Sequence, residues 1–185
     1  MRIITGRAKG KRLQTPDGMH TRPTTERVKE SVFSIIQWDI EGRNVLDLFG
    51  GSGQLGLEAI SRGAARCDIV ESDRAAQRII EGNIRNCGFE KEVRLVKGDS
   101  FQFLERSKKN AYGLIFLDPP YGGEMLNRAL EIICRIDILA EGGIIICESG
   151  EEDTLITVPQ PYRVLRQYHY SHSNITTITK GGEEA

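Results

Sequence analysis

From Arg43 to Cys147 the chain alternates short apolar runs with segments of helical period, and this rhythm restricts the fold more than any other feature. Asn44 to Leu48, Cys67 to Glu71, Val93 to Val96, Leu114 to Leu117 and Gly143 to Cys147 read as strands. Gly53 to Arg62, Arg74 to Asn86, Phe101 to Lys108 and Leu126 to Ile136 read as the helices between them. Strands joined through helices run parallel, so the rhythm predicts an α/β fold with helices on both faces of a mostly parallel sheet. The tail changes character. Tyr162 to Tyr170 and Asn174 to Lys180 are rich in Tyr, Val, Ile and Thr, and they predict a closing antiparallel hairpin around Ser171-His172-Ser173. Seven strands result.

The first residues read differently. Residues 2–6 and 10–14 can pair as a short hairpin across Gly6 to Gly10, before a loop containing Pro16, Gly18 and Pro23. Thr24 is the expected N-cap of a helix over 25–37, with Glu26 in its first turn and Val28, Val32, Ile35 and Ile36 on one face. Trp38, just past that helix, is expected in the core. The expected division is an N-terminal extension over residues 1–23 and a larger domain over 24–185, ending in a frayed tail at 181–185.

Residues 1–29 carry Arg2, Arg7, Lys9, Lys11, Arg12, Arg22, Arg27 and Lys29 against Asp17 and Glu26, a local charge of +6 in a chain of net charge −1. Such an arm can draw a polyanion without the whole protein being basic. Charge alone equally describes a solvated surface hairpin. Arg22 and Arg27 flank the expected site entrance and are the candidates for phosphates beside a flipped base. No apolar run approaches the roughly 20 residues of a membrane span. The start lacks a signal-peptide core, so a cytoplasmic protein without a membrane partner is expected. Cys67, Cys87, Cys134 and Cys147 lie far apart and read as buried, reduced thiols. His169 and His172 have no ligand cluster beside them in sequence, so no metal is expected.

Val45 to Gly56 runs from a strand into a helix through Phe49-Gly50-Gly51-Ser52-Gly53. Glycines there let a ligand approach the backbone closely. Gly51, Gly53 and Gly56 satisfy GxGxxG, and Glu71 lies 20 residues after Gly51, so the turn alone also fits a dinucleotide. Asp47 argues otherwise, because an acid beneath the turn repels a pyrophosphate and welcomes an amino group. S-adenosylmethionine (SAM) carries an ammonium and no phosphate. The chain also leaves no room for a separate dehydrogenase substrate domain. The expected SAM-binding set is Asp47, Phe49, Gly50, Gly51, Ser52, Gly53, Glu71, Ser72, Asp99 and Ser100. Glu71 can accept both ribose hydroxyls. Asp99 can receive the adenine amino group or cap the helix starting near Ser100, and Asp73 reads as a helix cap.

Asp118-Pro119-Pro120-Tyr121 follows the carboxyl end of a buried strand. The exocyclic nitrogen of a base is a poor nucleophile because its lone pair is delocalised into the ring. Two acceptors on its two N–H bonds can hold it and help free that pair. The Asp118 carboxylate and the Pro119 carbonyl suit this role, the prolines pre-fix them, and Tyr121 offers a face for stacking. Gly122-Gly123 can hinge a lid or form a plain loop. The expected reaction is in-line methyl transfer from SAM to a base amino group.

The chain resembles the RsmD family of bacterial 16S rRNA guanine-N2 methyltransferases over nearly its whole length. The resemblance is carried by Met1-Arg2-Ile3-Ile4-Thr5-Gly6, Lys9-Gly10-Lys11, Thr21 to Glu30, Leu46 to Gly53, Gly56-Leu57-Glu58-Ala59 and Asp118 to Tyr121. The Thr21-Arg22-Pro23-Thr24 segment is the more family-specific part. Gly50 stands where the family often has alanine. The resemblance implies a Rossmann-like class I methyltransferase with a basic N-terminal hairpin. It also implies action on 16S rRNA within the small ribosomal subunit or its precursor; a monomer is expected. Competing readings are an N6-adenine DNA methyltransferase, which uses the same tetrapeptide, and a noncatalytic RNA-binding assembly factor that retains the fold. The first usually carries an additional target-reading region, and here 64 residues follow Tyr121.

Overall fold

Seven strands form one sheet in the order β3-β2-β1-β4-β5-β7-β6. They are β1 (Asn44–Asp47), β2 (Arg66–Glu71), β3 (Val93–Lys97), β4 (Tyr112–Leu117), β5 (Leu139–Ser149), β6 (Tyr162–His169) and β7 (Asn174–Lys180). Among the described residues five helices accompany them: α1 (Pro23–Ile35), α2 (Gln54–Ser61), α3 (Arg74–Cys87), α4 (Ser100–Glu105) and α5 (Gly123–Ile136). This computed structural model describes residues 1–16, 23–120, 123–153, 155, 157–171 and 173–181. The expectations placed on Asp17, Gly18, Thr21, Arg22, Tyr121, Gly122, His172 and the tail beyond residue 181 lie outside the described residues.

The order reverses between β1 and β4. Each of them lies beside the other, with β2 and β3 continuing one way and β5 the other, all in parallel. A ligand crevice opens at the carboxyl ends of such strands, at the switch point. β7 runs antiparallel between β5 and β6 and completes the sheet.

Alternation along the central strands feeds two cores. Val45, Leu114, Phe116 and Ile146 face α1, α2 and α3, whose Val28, Val32, Phe33, Leu57, Ile60 and Ile80 cover them. Leu46, Ile115, Leu117, Ile145 and Cys147 face α4 and α5, covered by Leu104, Leu126, Leu130 and Ile133. The period-2 register of the strands makes that division unavoidable.

Several expectations change. The N-terminal segment closes on itself only briefly: an antiparallel bridge joins Arg2 to Arg12, and the N–H groups of Ile3, Gly10 and Leu13 donate to the carbonyls of Lys11, Ile3 and Met1. α2 supplies partners for further N–H groups of its turn. The Glu58 carboxylate accepts from the N–H groups of Ile4 (2.8 Å) and Thr5 (3.0 Å). Ser61 accepts from Ala8 N–H at its hydroxyl and from Arg7 N–H at its carbonyl. Ile3, Ala8 and Leu13 then join the core beneath α1, α2 and α3. α1 begins at Pro23, so Thr24 lies inside its first turn rather than at its cap. α1 also ends at Ile35. Ile36 takes the buried position, and Trp38 is left 88% exposed rather than in the core. Cys67 and Cys147 are buried, whereas Cys87 and Cys134 are partly exposed; all four are free thiols.

Candidate active site

The glycine turn joins β1 to α2. Gly51 and Gly53 adopt left-handed φ values of 56° and 76°, which side chains disfavour. A Cβ on Gly50 would lie 2.6 Å from Ile69 Cγ2, and one on Gly56 would lie 2.7 Å from Cys67 Sγ. The turn thus packs directly onto β2. An alanine at position 50, common in the resembling family, would need β2 to yield in this chain.

Asp47 ends β1 directly below the turn, 2% exposed, and its carboxylate accepts from the Gly56 N–H at 3.0 Å. Burial pushes its carboxyl up to about 7, the Gly56 bond pulls it back, and the nearby Glu71 charge adds to the rise. The raised value means that folding takes up a proton here. Asp47 therefore contributes most to ligand-free stability below the ordinary carboxylate range, and that contribution is lost as pH rises through about 7. Asp47→Asn keeps an acceptor for Gly56 without the charge. It is expected to gain stability relative to the wild type between pH 4 and pH 8, measured by urea unfolding without ligand. A difference that does not vary with pH would contradict the shift.

Glu71, at the end of β2, accepts from the N–H groups of Gly51 and Asp73, both at 2.8 Å. Each carboxylate oxygen retains capacity for a further donor. Ser72 is exposed beside it. Asp73 caps α3 through the Ala76 N–H. Asp99 caps α4 through the Gln102 N–H, so its backbone-side oxygen is already committed. Ser100 is buried and donates to the Leu48 carbonyl, which ties α4 to the start of the turn. Phe49 meets Phe101 edge-on at 6.4 Å, and the Arg128 guanidinium lies 4.1 Å over the Phe101 ring. Phe101 and Arg128 thus complete an aromatic wall that sequence reasoning missed.

Asp118 and Pro119 follow β4 at the same end of the sheet. Asp118 lines a cavity with Phe116 and Leu117 of β4, Ile146 and Glu148 of β5 and Ile175 of β7. Val28, Lys29 and Val32 of α1 and Gln54 and Leu55 of α2 close it from above. Burial pushes the Asp118 carboxyl well above the usual range, and the charges of Glu148 and Asp47 push it further. Burial raises Glu148 as well, and a hydrogen bond with Ser173 opposes that rise. Gly123 opens α5 with its N–H donated to Asp153 at 3.1 Å, so it anchors a helix start.

The basic set divides. Arg2, Lys9, Lys11, Arg12 and Arg27 are exposed, and exposed Arg7 pairs with Glu92 and covers the Phe89 ring. Lys29 does not belong with them. It is 2% exposed, donates to the Arg2 carbonyl at 2.8 Å and pairs with Glu58 at 3.2 Å. Burial lowers its pKa, and Glu58 opposes that fall. Lys29 fastens the arm to α2 and cannot reach a phosphate. Asn83 of α3 makes a second tie. Its amide donates to the carbonyls of Gln14 and Ser52 and accepts from the Gln14 N–H, joining the arm to the glycine turn. The sequence holds no local signal for Asn83 or Glu148, because their partners are distant along the chain, and Glu58 has only Arg62 nearby, four residues on.

This set of acceptors suits one ligand class. Asp47, Glu71, Asp99, Asp118 and Glu148 all stand at the carboxyl ends of strands, and no phosphate fits among five acids. A nucleoside bearing cationic groups does. Among the described residues no group of three His, Cys, Asp or Glu could hold a metal, and no helix is long and apolar enough to cross a membrane.

Comparison with known proteins finds relatives along nearly the whole chain. The family described as conserved hypothetical protein 95 matches residues 1–179. YlbH of Bacillus subtilis (strain 168) is 35% identical over 184 residues, covering 98% of this chain and 100% of its own length. The ribosomal RNA small subunit methyltransferase D of Escherichia coli (strain K12) is 36% identical over 167 residues, covering 90% of this chain and 83% of its own. The solved structure of yhhF from Escherichia coli superposes with a TM-score of 0.87 at 30% identity, covering 97% of both chains.

Proposed function

The chain belongs to the RsmD family, described as conserved hypothetical protein 95, and from that premise we propose that it transfers a methyl group from SAM to the exocyclic N2 of a guanine in 16S rRNA. The observation that carries this reading is the position of Asp118-Pro119 beside the glycine turn, opening onto the cavity under α1. SAM, when bound, supplies a methyl group made electrophilic by its sulfonium. Asp47 and Glu71 suit its ammonium and its ribose hydroxyls, and the Phe49–Phe101 wall suits its adenine. Asp118, Pro119, Pro120 and Tyr121 form the amino-group grip. The Asp118 carboxylate and the Pro119 carbonyl accept the two N–H bonds of the target amino group. The nitrogen must shed one proton on methylation, and a carboxylate of raised pKa is a fitting acceptor beside it. Because Asp118 must be ionised to accept, activity falls with decreasing pH from a higher pH than an ordinary carboxylate would set.

Residues 1–23 then serve as an RNA-binding extension of a methyltransferase domain over 24–185, acting as a monomer on the small subunit or its precursor. Lys9, Lys11 and Arg12 present exposed charge on an arm that α2 and α3 hold fixed. Replacing all three by alanine is expected to weaken RNA binding. It should make the salt dependence of affinity shallower by about 0.7–0.9 in log–log slope per lost phosphate contact. An unchanged slope would remove the arm from the RNA interface.

The substrate is tested by offering labelled SAM with small ribosomal subunits, deproteinised 16S rRNA or double-stranded DNA. The reading expects label in the subunits above either free polymer. Label confined to DNA would instead select the adenine reading.

A further inference from the structure

We propose that Glu148 reads the N1–H of the target guanine while Asp118 holds its N2 amino group. The inference rests on the guanine-N2 reading above and names the residue that makes it specific.

The geometry follows from strand register. Leu117 of β4 pairs with Cys147 of β5, so the next residues, Asp118 and Glu148, stand side by side at the strand ends. Adjacent strands lie about 4.8 Å apart. Leu117 and Cys147 face the α5 side; alternation turns Asp118 and Glu148 together toward α1, into one cavity. Apolar walls from Val28, Val32, Ile146 and Ile175 surround them.

The cavity has acceptors in excess. The Gln54 side-chain oxygen is buried on it without a hydrogen-bond partner. Its one ammonium, Lys29, is already taken by the Arg2 carbonyl and Glu58. The titratable groups acting on Asp118 are Glu148 from β5 and Asp47 from β1; α2 and β7 bring only uncharged side chains to the cavity. Apart from the Ser173 bond to Glu148 and the Gln54 amide, such a site is short of donors. Guanine supplies three in a row, N1–H and the two N–H bonds of N2, and Glu148, Asp118 and the Pro119 carbonyl match them. Adenine in the same place offers the same amino group but an N1 lone pair, which sets acceptor against acceptor. A buried acceptor left facing an acceptor costs enough to discriminate one base from another.

The test compares wild type, Glu148→Gln and Glu148→Ala, using labelled SAM and small ribosomal subunits that lack guanine-N2 methylation. Glu148→Ala is expected to lose about 10–100-fold in kcat/KM and Glu148→Gln, which keeps an acceptor without the charge, a smaller part of that, with Tm and SAM affinity at wild-type values in both. The acid limb of the pH–rate profile should move to lower pH in both, because Asp118 loses a negative neighbour. Wild-type kcat/KM in the variants, an acid limb that stays in place, or activity lost together with Tm would each overturn the assignment of Glu148. Wild-type label appearing outside N2-methylguanosine would overturn the underlying reading itself, and this inference with it.

Discussion

Asp118→Ala is expected to lower kcat/KM for methyl transfer by about 10³-fold or more while leaving SAM affinity nearly unchanged. The side chain lines the cavity under α1, whereas the expected cofactor contacts lie on the turn after β1 and at the ends of β2 and β3. Removing it deletes one of the two acceptors on the amino group and the base for its proton. Nothing in the turn depends on it. Isothermal titration with SAM and single-turnover transfer on small subunits separate the two effects. A variant that keeps its rate would make the tetrapeptide a rigid turn and revive the noncatalytic reading. A variant that loses SAM affinity in proportion would place Asp118 in the cofactor site.

Glu58→Ala is expected to destabilise the fold by about 3–5 kcal/mol, the cost of leaving a buried charge unpaired. Glu58 is fully buried on α2 and serves four donors: the backbone of Ile4 and Thr5, the Lys29 ammonium and the Arg62 guanidinium. Its loss strands Lys29, which is 2% exposed, and two N–H groups of the arm. Urea unfolding measures the loss, and the midpoint temperature should fall by roughly 10 °C. A second consequence is functional. These bonds fasten the turn of the arm to α2, so the variant should also bind RNA more weakly at temperatures where it stays folded. A loss below about 1 kcal/mol would mean that the apolar anchors Ile3, Ala8 and Leu13, with the ties to Ser61 and Asn83, hold the arm without Glu58.

What could be read from the chain, and what could not, follows from the range of the forces involved. Strand and helix periodicity is local, so β1 to β4 and α2 to α5 were legible within a few residues. The largest boundary errors fall where tertiary pairing extends an element, as at Leu139 in β5, which pairs with Tyr112. The glycine turn was legible because positive φ leaves a composition signal. Its alanine tolerance was not, since that depends on Ile69 of the neighbouring strand. Lys29 looked like one more arm cation, and only the approach of α2 to α1 turns it into a buried strut. Trp38 reads as a core residue on character alone, and two residues of helix length decide otherwise. Glu148 stands 30 residues after Asp118, and only parallel pairing brings the two together.

The account's central claim concerns one atom, the N2 of a guanine. Purified protein is incubated with labelled SAM and small ribosomal subunits lacking guanine-N2 methylation, and the rRNA is digested to nucleosides. The account predicts label in N2-methylguanosine alone, absent with Asp118→Ala. Label in N6-methyladenosine, or in a ring-methylated guanosine, would contradict it.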